Sequence, residues 1–296
     1  MRQLTNVQHT IGYAAFVSDR NAMIEDPRGR IDYEETGSGP TIVFVPGSCS
    51  TGAAWRPVIG ALNGRFRCVT TSLLGYGGTA ERRSFTDVSI AHEAEIIEAV
   101  VRRSGAVVHL VGHSFGGLVA IAVAMRHKVK LASLTVAEAP AAELLRAVGE
   151  HQHYEAFRKM TDAYFSAFQN GNGEAIEQMI DFYGGTGTFA SWPPRVRTYA
   201  IETTVVNIFD WASAYGFHLS PRDLAGVKIP SLVLRGGMSP AAVQRANELL
   251  NLHMSDSALV TIERAAHFMI STHAEEVAQA ISNHVMRAAC ICEVTR

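Results

Sequence analysis

The stretch that decides the fold is Val107-Val108-His109-Leu110-Val111-Gly112-His113-Ser114-Phe115-Gly116-Gly117. It begins as an apolar, β-branched run, which predicts a buried strand, and a helical pattern follows it from Leu118 to about Arg126. The pentapeptide G-x-S-x-G at 112–116 lies at the junction, in the strand–turn–helix context that its chemistry requires. Such a turn leaves no room for side chains at Gly112 and Gly116. We therefore expect the Ser114 hydroxyl to project from the carboxyl end of the strand as a nucleophile.

The helix after Ser114 would add an electrostatic feature to this site. Its first turn carries a partial positive charge, and the Phe115 N–H can face the oxyanion that forms when a serine attacks a carbonyl carbon. The alternative interpretation is a Gly-rich turn with an incidental serine. The strand–turn–helix context favours the nucleophile, with the Phe115 N–H as the first oxyanion donor.

On this motif and its context, the chain resembles the α/β-hydrolase superfamily, over about residues 29–288. The resemblance implies an α/β fold with a mostly parallel eight-stranded sheet, flanked by helices and carrying a helical lid insertion. It also implies that a carboxylate and then a histidine follow Ser114 in the chain, and that a second backbone N–H completes an oxyanion hole. Strands and amphipathic helices alternate along much of the sequence, which independently predicts a parallel sheet with right-handed crossovers.

The sequence divides into five segments. Residues 1–28 show no strong periodicity and are predicted to form an N-terminal arm or an extra strand. Residues 29–138 and 221–288 form the predicted core, 139–220 the lid, and 289–296 a frayed tail. Lid helices are predicted at Tyr154–Phe168, Glu174–Tyr183 and Pro194–Tyr215, and the closing core helix at Ala274–Met286.

The predicted lid is rich in aromatic residues: it contains 14 of the 24 in the chain, so its composition differs from that of the core. A lid over the carboxyl ends of the strands would line a crevice there with apolar rings, and we expect Trp192 and Trp211 to contribute to it. The alternative is that the rings pack the lid's own core, and we expect this for more than half of them.

The second oxyanion donor is expected in the loop after the apolar strand Thr41–Val45. This loop begins Pro46-Gly47-Ser48-Cys49, whereas family members usually have His-Gly at this position. The replacement leaves the donor intact because the donor is a backbone N–H. The resemblance assigns it to Ser48, with Cys49 as a near alternative, and an ordinary Gly/Ser loop is the remaining interpretation.

The base and the acid are predicted mainly from the resemblance. His267 lies in the loop after the last strand, where the family has its histidine; a surface imidazole is the alternative. Most family members have an aspartate after the penultimate strand, but this chain has Ser239 there. Glu138, directly after the strand 131–137, is the best substitute, since zearalenone lactonases have a glutamate in a similar strand–Glu–x–Pro context. A helix-start carboxylate is the alternative for Glu138.

Other carboxylates are less suited to act as the acid. Glu263 is close to His267 in sequence but lacks a family precedent. Asp223 precedes its strand and so belongs at the opposite rim of the sheet. Asp181 and Asp210 fall in the lid, where we expect them to cap helices or to contact solvent.

Composition narrows the functional classes. With 296 residues, 47% of them hydrophobic, the chain can bury a large core. A net charge of −2 without a basic stripe makes nucleic acid or an anionic membrane surface an unexpected partner. No apolar run approaches the ~18 residues of a membrane span, and residues 1–21 do not resemble a signal peptide, so we expect a cytoplasmic protein. The cysteines fit neither a zinc site nor a disulfide framework, and no metal or cofactor is expected; they are Cys49, Cys68, Cys290 and Cys292.

These features together favour a serine hydrolase that cleaves carboxylic ester or lactone bonds of apolar small molecules through an acyl-enzyme. Other serine-dependent chemistry on the same scaffold stays open: a carbon–carbon bond hydrolase, an acyltransferase or a perhydrolase. A ligand-binding receptor on a hydrolase scaffold is a further alternative, and a homodimer is also left open. The aspartate-nucleophile dehalogenases and epoxide hydrolases are disfavoured by Ser114.

Overall fold

The computed structural model describes residues 22–294 of the chain. Most of the predicted N-terminal arm, residues 1–21, lies outside this range, as do the last two residues. Strand β1 (Ala22–Ile24) pairs antiparallel with strand β2 (Ile31–Thr36), so the described end of the arm extends the sheet.

One sheet organises the fold. Within the described residues it has eight strands in the order β1-β2-β4-β3-β5-β6-β7-β8. The strands from β3 onward run parallel to one another, and β2 joins them antiparallel to β4, which confirms the predicted mostly parallel sheet of eight strands. The remaining strands are β3 (Thr41–Val45), β4 (Arg67–Thr70), β5 (Val108–His113), β6 (Leu131–Ala137), β7 (Ser231–Gly236) and β8 (Ser257–Ile262).

Helices cover both faces of this sheet because its central strands are apolar on both sides. In β3, Ile42 and Phe44 pack in one core cluster and Val43 and Val45 in the other, as the two-residue period of a strand requires. The core helices are α1 (Arg56–Ala61), α2 (Ile90–Ser104), α3 (Phe115–Arg126), α11 (Ala241–His253), α12 (Met269–Thr272) and α13 (Ala274–Val294), with a 3-10 helix at Gly52–Trp55. No helix in the range 22–294 combines the length and the apolar character needed to cross a membrane.

A helical insertion separates β6 from β7, at the place predicted for the lid. It comprises α4 (Ala142–Ala147), α5 (His151–Gln169), α6 (Ile176–Gly184), α7 (Thr188–Ser191), α8 (Pro194–Glu202) and α9 (Thr204–Gly216), followed by α10 (Pro221–Ala225). Its first residue, Ala139, is fastened to the core by the buried side chain of Asn247 on α11. The Asn247 Oδ1 accepts from the Ala139 N–H at 3.2 Å, and the Asn247 Nδ2 donates to the Ala139 carbonyl at 3.3 Å.

Two helix predictions were wrong in their bounds. The single helix predicted over Pro194–Tyr215 is broken at Thr203, whose hydroxyl donates to the Tyr199 carbonyl at 2.8 Å. Such back-bonding by threonine competes with helical hydrogen bonds and bends helices. The closing helix continues to Val294, so the predicted frayed tail is helical as far as the structure describes it. Ala288, near the start of this extension, is buried, so the chain buries further apolar surface by continuing as a helix beyond Met286.

Candidate active site

The turn around Ser114 has the tight geometry that its sequence predicts. Ser114 lies between β5 and α3 with φ 53° and ψ −129°, a backbone conformation that side-chain-bearing residues rarely adopt. A Cβ at Gly112 would lie 2.3 Å from the Gly116 carbonyl oxygen, and a Cβ at Gly116 would lie 2.1 Å from the Pro46 carbonyl oxygen. Glycine is therefore needed at both positions, and the elbow abuts the loop after β3.

His267 reaches Ser114 from the far end of the sheet. It follows β8, and its Nε2 lies 2.9 Å from the Ser114 Oγ, within hydrogen-bonding distance. The imidazole is almost wholly buried, and the Tyr183 ring stacks on it with a centroid distance of 4.0 Å. Phe268 meets the same ring edge-on at 5.3 Å. Aromatic contacts on the imidazole thus restrict its orientation and exclude water.

Glu138 is the carboxylate that contacts this histidine. It directly follows β6, is fully buried and has a positive φ of 55°, which turns the chain sharply after the strand. The His267 Nδ1 donates to the Glu138 Oε2 at 3.2 Å. Because Nδ1 carries the proton in this contact, Nε2 is the nitrogen free to accept the Ser114 proton.

Two groups from the next strand along complete the environment of Glu138. The Gly236 N–H donates to its Oε1 at 2.6 Å, and the Ser239 hydroxyl donates to its Oε2 at 2.8 Å. Ser239 occupies the position where most family members are expected to have the acid. In this chain that position supplies a hydroxyl to a carboxylate from the neighbouring strand, so Ser239 supports Glu138 rather than replacing it.

The other histidines near the elbow have different partners. The Nε2 of His113 donates to the His267 carbonyl oxygen at 2.8 Å and not to the Ser114 hydroxyl. Burial, followed by the charge of His267, lowers the pKa of His113 to about 3, so it is neutral at physiological pH. His109 lies inside the buried strand β5 with its Nδ1 2.8 Å from the Ser133 Oγ. Neither imidazole approaches the Ser114 hydroxyl as His267 does.

The remaining acidic candidates also have definite places. Asp181 accepts hydrogen bonds from the Gly187 and Phe189 N–H groups and so organises the start of α7. Asp223 forms a capping box with Ser220 at the start of α10. Helix capping was among the expectations for Asp181, whereas the expectation for Asp210 was wrong.

Asp210 lies on α9 but is buried against the core rather than facing solvent. Its Oδ2 accepts from the Ser48 hydroxyl at 2.5 Å and from the Tyr76 hydroxyl at 2.7 Å. Its Oδ1 accepts from the Arg83 Nη1 at 2.7 Å. Sequence reasoning missed these contacts because a carboxylate in an amphipathic helix gives no local signal of a partner more than a hundred residues away.

The two predicted oxyanion donors lie beside the elbow. Phe115 is the first residue of α3, where backbone N–H groups have no partner within the helix. Ser48 lies in the loop after β3, which contacts the elbow through Pro46 and Gly116. Cys49, the alternative donor, has a positive φ of 57° and a buried thiol whose pKa burial raises to about 12. Both Ser48 and Phe115 line the cavity into which Ser114 opens.

This cavity has a volume of about 1040 Å³ and lies between the sheet rim and the helical insertion. Its lining is mostly apolar, and both Trp192 and Trp211 contribute to it. Trp192 packs edge-on against Phe268 at 5.2 Å, whereas the nearly buried Trp211 contacts Phe157 in the interior of the insertion. Further lining residues from the insertion are Met179, Ile180, Tyr183, Val196 and Ala214.

Among residues 22–294, no three His, Cys, Asp or Glu side chains are grouped so that they could hold a metal ion. The groups that come together at the elbow are a hydroxyl, an imidazole, a carboxylate and backbone N–H groups. Such a set can carry out nucleophilic attack with proton transfer and stabilisation of an oxyanion.

Comparison with known proteins gives this arrangement a family. Residues 42–280 match the family described as the alpha/beta hydrolase family. This match spans most of the chain, so the protein belongs to that family.

Relatives within the family differ in how much of the chain they match. Haloalkane dehalogenase 2 of Mycobacterium bovis is 36% identical over 102 residues, which are 34% of this chain and 35% of the relative. The chain thus matches about a third of the length of that dehalogenase. The pimeloyl-[acyl-carrier protein] methyl ester esterase of Aeromonas hydrophila is 25% identical over 270 residues, covering 86% of this chain and 99% of the relative.

A solved structure shows the same fold over nearly the whole chain. The enol-lactonase from Burkholderia xenovorans LB400 is similar with a TM-score of 0.72 at 16% identity. The similarity covers 90% of this chain and 100% of the enol-lactonase chain.

Proposed function

We propose that the protein is a serine hydrolase that cleaves carboxylic ester or lactone bonds of apolar small molecules through an acyl-enzyme. The observation that carries this proposal is the continuous hydrogen-bonded series Ser114–His267–Glu138, which opens on the apolar cavity. A receptor would need the cavity but not this series, because binding alone does not require an activated hydroxyl.

Acylation begins when the Ser114 Oγ attacks the acyl carbon and its proton passes to the His267 Nε2. The bond from Oγ to carbon forms, the carbonyl π electrons move to oxygen, and the N–H groups of Phe115 and Ser48 stabilise the resulting oxyanion. Glu138 stabilises the imidazolium through Nδ1. His267 then gives its proton to the departing alkoxide as the carbon–oxygen bond breaks.

Deacylation repeats these steps with water. His267 removes a proton from a water molecule, the hydroxide oxygen bonds to the acyl carbon, and the Ser114 Oγ leaves with the proton returned by His267. The products are an acid and an alcohol, or one hydroxy acid when the substrate is a lactone.

The lining of the cavity and the names of the relatives both support an ester or lactone substrate. Apolar rings line much of the cavity, which favours an acyl or alcohol part of similar polarity. The Aeromonas relative is named for methyl ester hydrolysis and the Burkholderia structure for enol-lactone hydrolysis. The dehalogenase match covers about a third of either chain, which is too little to transfer its substrate to this protein.

The decisive experiment combines covalent labelling with a substrate panel. A fluorophosphonate should modify Ser114, identified by peptide mass spectrometry, and should abolish turnover of p-nitrophenyl esters. A parallel panel of esters, lactones, β-diketones and acyl-acceptor alcohols then separates ester or lactone hydrolysis from carbon–carbon cleavage and acyl transfer. An enzyme that resists the fluorophosphonate and hydrolyses none of the esters or lactones would contradict the proposal.

A further inference from the structure

A buried carboxylate outside the Ser114–His267–Glu138 series contacts the loop that carries a proposed oxyanion donor. This loop, residues 46–51 after β3, is called the oxyanion loop below. Asp210 comes from the helical insertion, far from Ser48 in the chain, yet the Ser48 hydroxyl donates to its Oδ2 at 2.5 Å. The Tyr76 hydroxyl, from the loop after β4, donates to the same oxygen at 2.7 Å. One carboxylate therefore ties together the oxyanion loop, the loop after β4 and helix α9.

A carboxylate in this place requires a counter-charge. An unpaired negative charge beside an oxyanion hole would oppose the charge that develops in the transition state. The Arg83 guanidinium, whose side chain is wholly buried, provides the compensation by donating to the Asp210 Oδ1 at 2.7 Å. Burying such a pair costs several kcal/mol per ion, so it is a poor way merely to stabilise a fold.

A second buried carboxylate, Glu93, contacts the same guanidinium. Glu93 is fully buried, with its Oε1 3.2 Å from the Arg83 Nη1. Burial raises the pKa of Glu93 to about 8, although Arg83 opposes the rise. Arg83 also binds Glu81, whose Oε1 accepts from Nε at 2.9 Å and whose Oε2 accepts from Nη2 at 2.8 Å, so one guanidinium balances a cluster of carboxylates that includes Asp210. Unlike Asp210, Glu93 makes its other contact with the Leu74 N–H, away from the oxyanion loop.

The oxyanion loop is a segment that needs such an anchor. Cys49, the residue after Ser48, has a positive φ of 57°, which is an unfavourable conformation for a non-glycine residue. An oxyanion donor is effective only when its N–H points at the developing charge, and displacement by about 1 Å can cost ~10²-fold in rate. The side chain of Ser48 is attached to the same residue as the proposed donor N–H, so holding its hydroxyl holds the donor.

We infer that Asp210, paired with Arg83, is a positioning residue that fixes the Ser48 N–H in the oxyanion hole through the Ser48 hydroxyl. This inference rests on the proposed function. It also gives the helical insertion a part in transition-state stabilisation, because the anchor comes from α9 and not from the core.

The test uses Ser48→Ala, Asp210→Asn and the double variant, with Asp162→Asn as the matched control. Ser48→Ala retains the backbone donor and removes only its tether. Asp162→Asn makes the same carboxylate-to-amide change in the insertion, at an exposed residue of α5 whose partner is Arg158. Each variant is assayed for kcat and KM on p-nitrophenyl esters. Inhibition constants are also measured for an alkyl trifluoromethyl ketone, which forms a tetrahedral adduct with Ser114, and for the product acid, which does not.

Ser48→Ala and Asp210→Asn should each lower kcat by about 30-fold, less than the ~10²–10³ that follows outright loss of a donor. KM and product-acid inhibition should change little, whereas trifluoromethyl ketone inhibition should weaken by a similar factor. The double variant should be no worse than the more affected single variant, because both changes break one tether. Asp162→Asn should match wild type at pH 7.

Wild-type kcat and wild-type trifluoromethyl ketone inhibition in Ser48→Ala would overturn the inference, as would losses that multiply in the double variant. If Asp210→Asn fails to fold, Ser48→Ala alone decides, because it removes the same hydrogen bond from the partner that is only partly buried. Fluorophosphonate labelling of the wild-type protein separates the two proposals. An unlabelled, inactive wild type refutes the proposed function, whereas a labelled, active wild type with an unaffected Ser48→Ala variant refutes only the positioning role.

Discussion

Ser114 carries its hydroxyl on a backbone with φ 53°, held by contacts of the elbow rather than by packing of its own side chain. Replacing it with alanine removes one atom and leaves these contacts in place. We therefore predict that Ser114→Ala lowers kcat for p-nitrophenyl esters by ~10⁴-fold or more, with a thermal midpoint close to wild type. Retention of a tenth of the activity would refute Ser114 as the nucleophile.

Glu138 accepts hydrogen bonds from His267, Ser239 and the Gly236 N–H, and only a carboxylate can accept all three while balancing an imidazolium charge. We predict that Glu138→Gln keeps the fold but lowers kcat by about 10³–10⁴-fold, because the amide cannot stabilise the imidazolium. Ser239→Ala should cost less, since the other two donors remain.

Glu263→Gln is the matched control for the acid. Glu263 is exposed after β8, so this variant should retain wild-type kcat. A fully active Glu138→Gln enzyme together with an inactive Glu263→Gln enzyme would move the acid to Glu263. Steady-state kinetics on one ester, with circular dichroism to confirm folding, is sufficient for the comparison.

At the scale of elements, the two predicted substrate-binding tryptophans have different surroundings. Trp192 lies at the cavity wall against Phe268, whereas Trp211 also packs among Phe157 and Tyr183 inside the insertion. We predict that Trp192→Ala changes kcat/KM unequally for short and long acyl esters, since each buried methylene is worth about 0.8 kcal/mol. Proportional losses along an acetate-to-octanoate series would show that this ring does not contact the acyl chain.

Trp211→Ala should behave differently. Removing a buried indole leaves a void and is expected to cost about 3–5 kcal/mol of stability. We predict a lower thermal midpoint and reduced kcat/KM on every ester, because Tyr183, which stacks on His267, loses its neighbour. Unchanged stability in this variant would mean that the insertion repacks around the gap.

The elements show which parts of the fold have local signals in the sequence. The elbow is predictable because the G-x-S-x-G motif at 112–116 falls between a strand pattern and a helix pattern, and alternating strands and helices have clear periods. The break at Thr203 depends on a side chain competing for a backbone carbonyl, which periodicity does not report. The closing helix continues to Val294 and buries Ala288, which the local sequence pattern does not report, so the prediction of a frayed tail was wrong as far as Val294.

The site shows the same distinction. Ser114 and His267 follow strand ends, and parallel strands bring their carboxyl ends to one rim, so their approach could be predicted from sequence. Glu138 was accessible to the same reasoning, aided by the family resemblance. The environment of Asp210 was not, because a buried ion pair between an insertion and a distant loop is fixed by tertiary packing alone.

At the scale of the whole molecule, we expect two buried, neutral histidines to lower the free energy of unfolding in mild acid. Burial lowers the pKa of His109 to about 4 and that of His113 to about 3, from an ordinary value of 6.5. Below pH 6.5 the unfolded chain therefore binds protons that the folded chain does not bind. The free energy of unfolding consequently decreases as the pH decreases. Between pH 7 and about 5, each of these histidines should remove about 2 kcal/mol.

Urea unfolding across this range measures the effect, before most carboxylates titrate. His109→Gln should flatten the pH dependence relative to wild type, whereas the same change at the exposed His151 should not. A wild-type protein equally stable at both ends of the range would contradict the assignment of neutral buried imidazoles.

The two hydrogen bonds between Asn247 and Ala139 restrict where the insertion of another protein could be joined to this fold. Glu138, the proposed acid, immediately precedes Ala139. The insertion therefore begins one residue after a group that is proposed to take part in proton transfer. A chimera joined directly after Glu138 would replace Ala139 and disturb the carboxylate. Junctions at Pro140 and Ser220 would keep both hydrogen bonds between Asn247 and Ala139. The insertion of a relative could then replace this one while Glu138 keeps its hydrogen bond to His267.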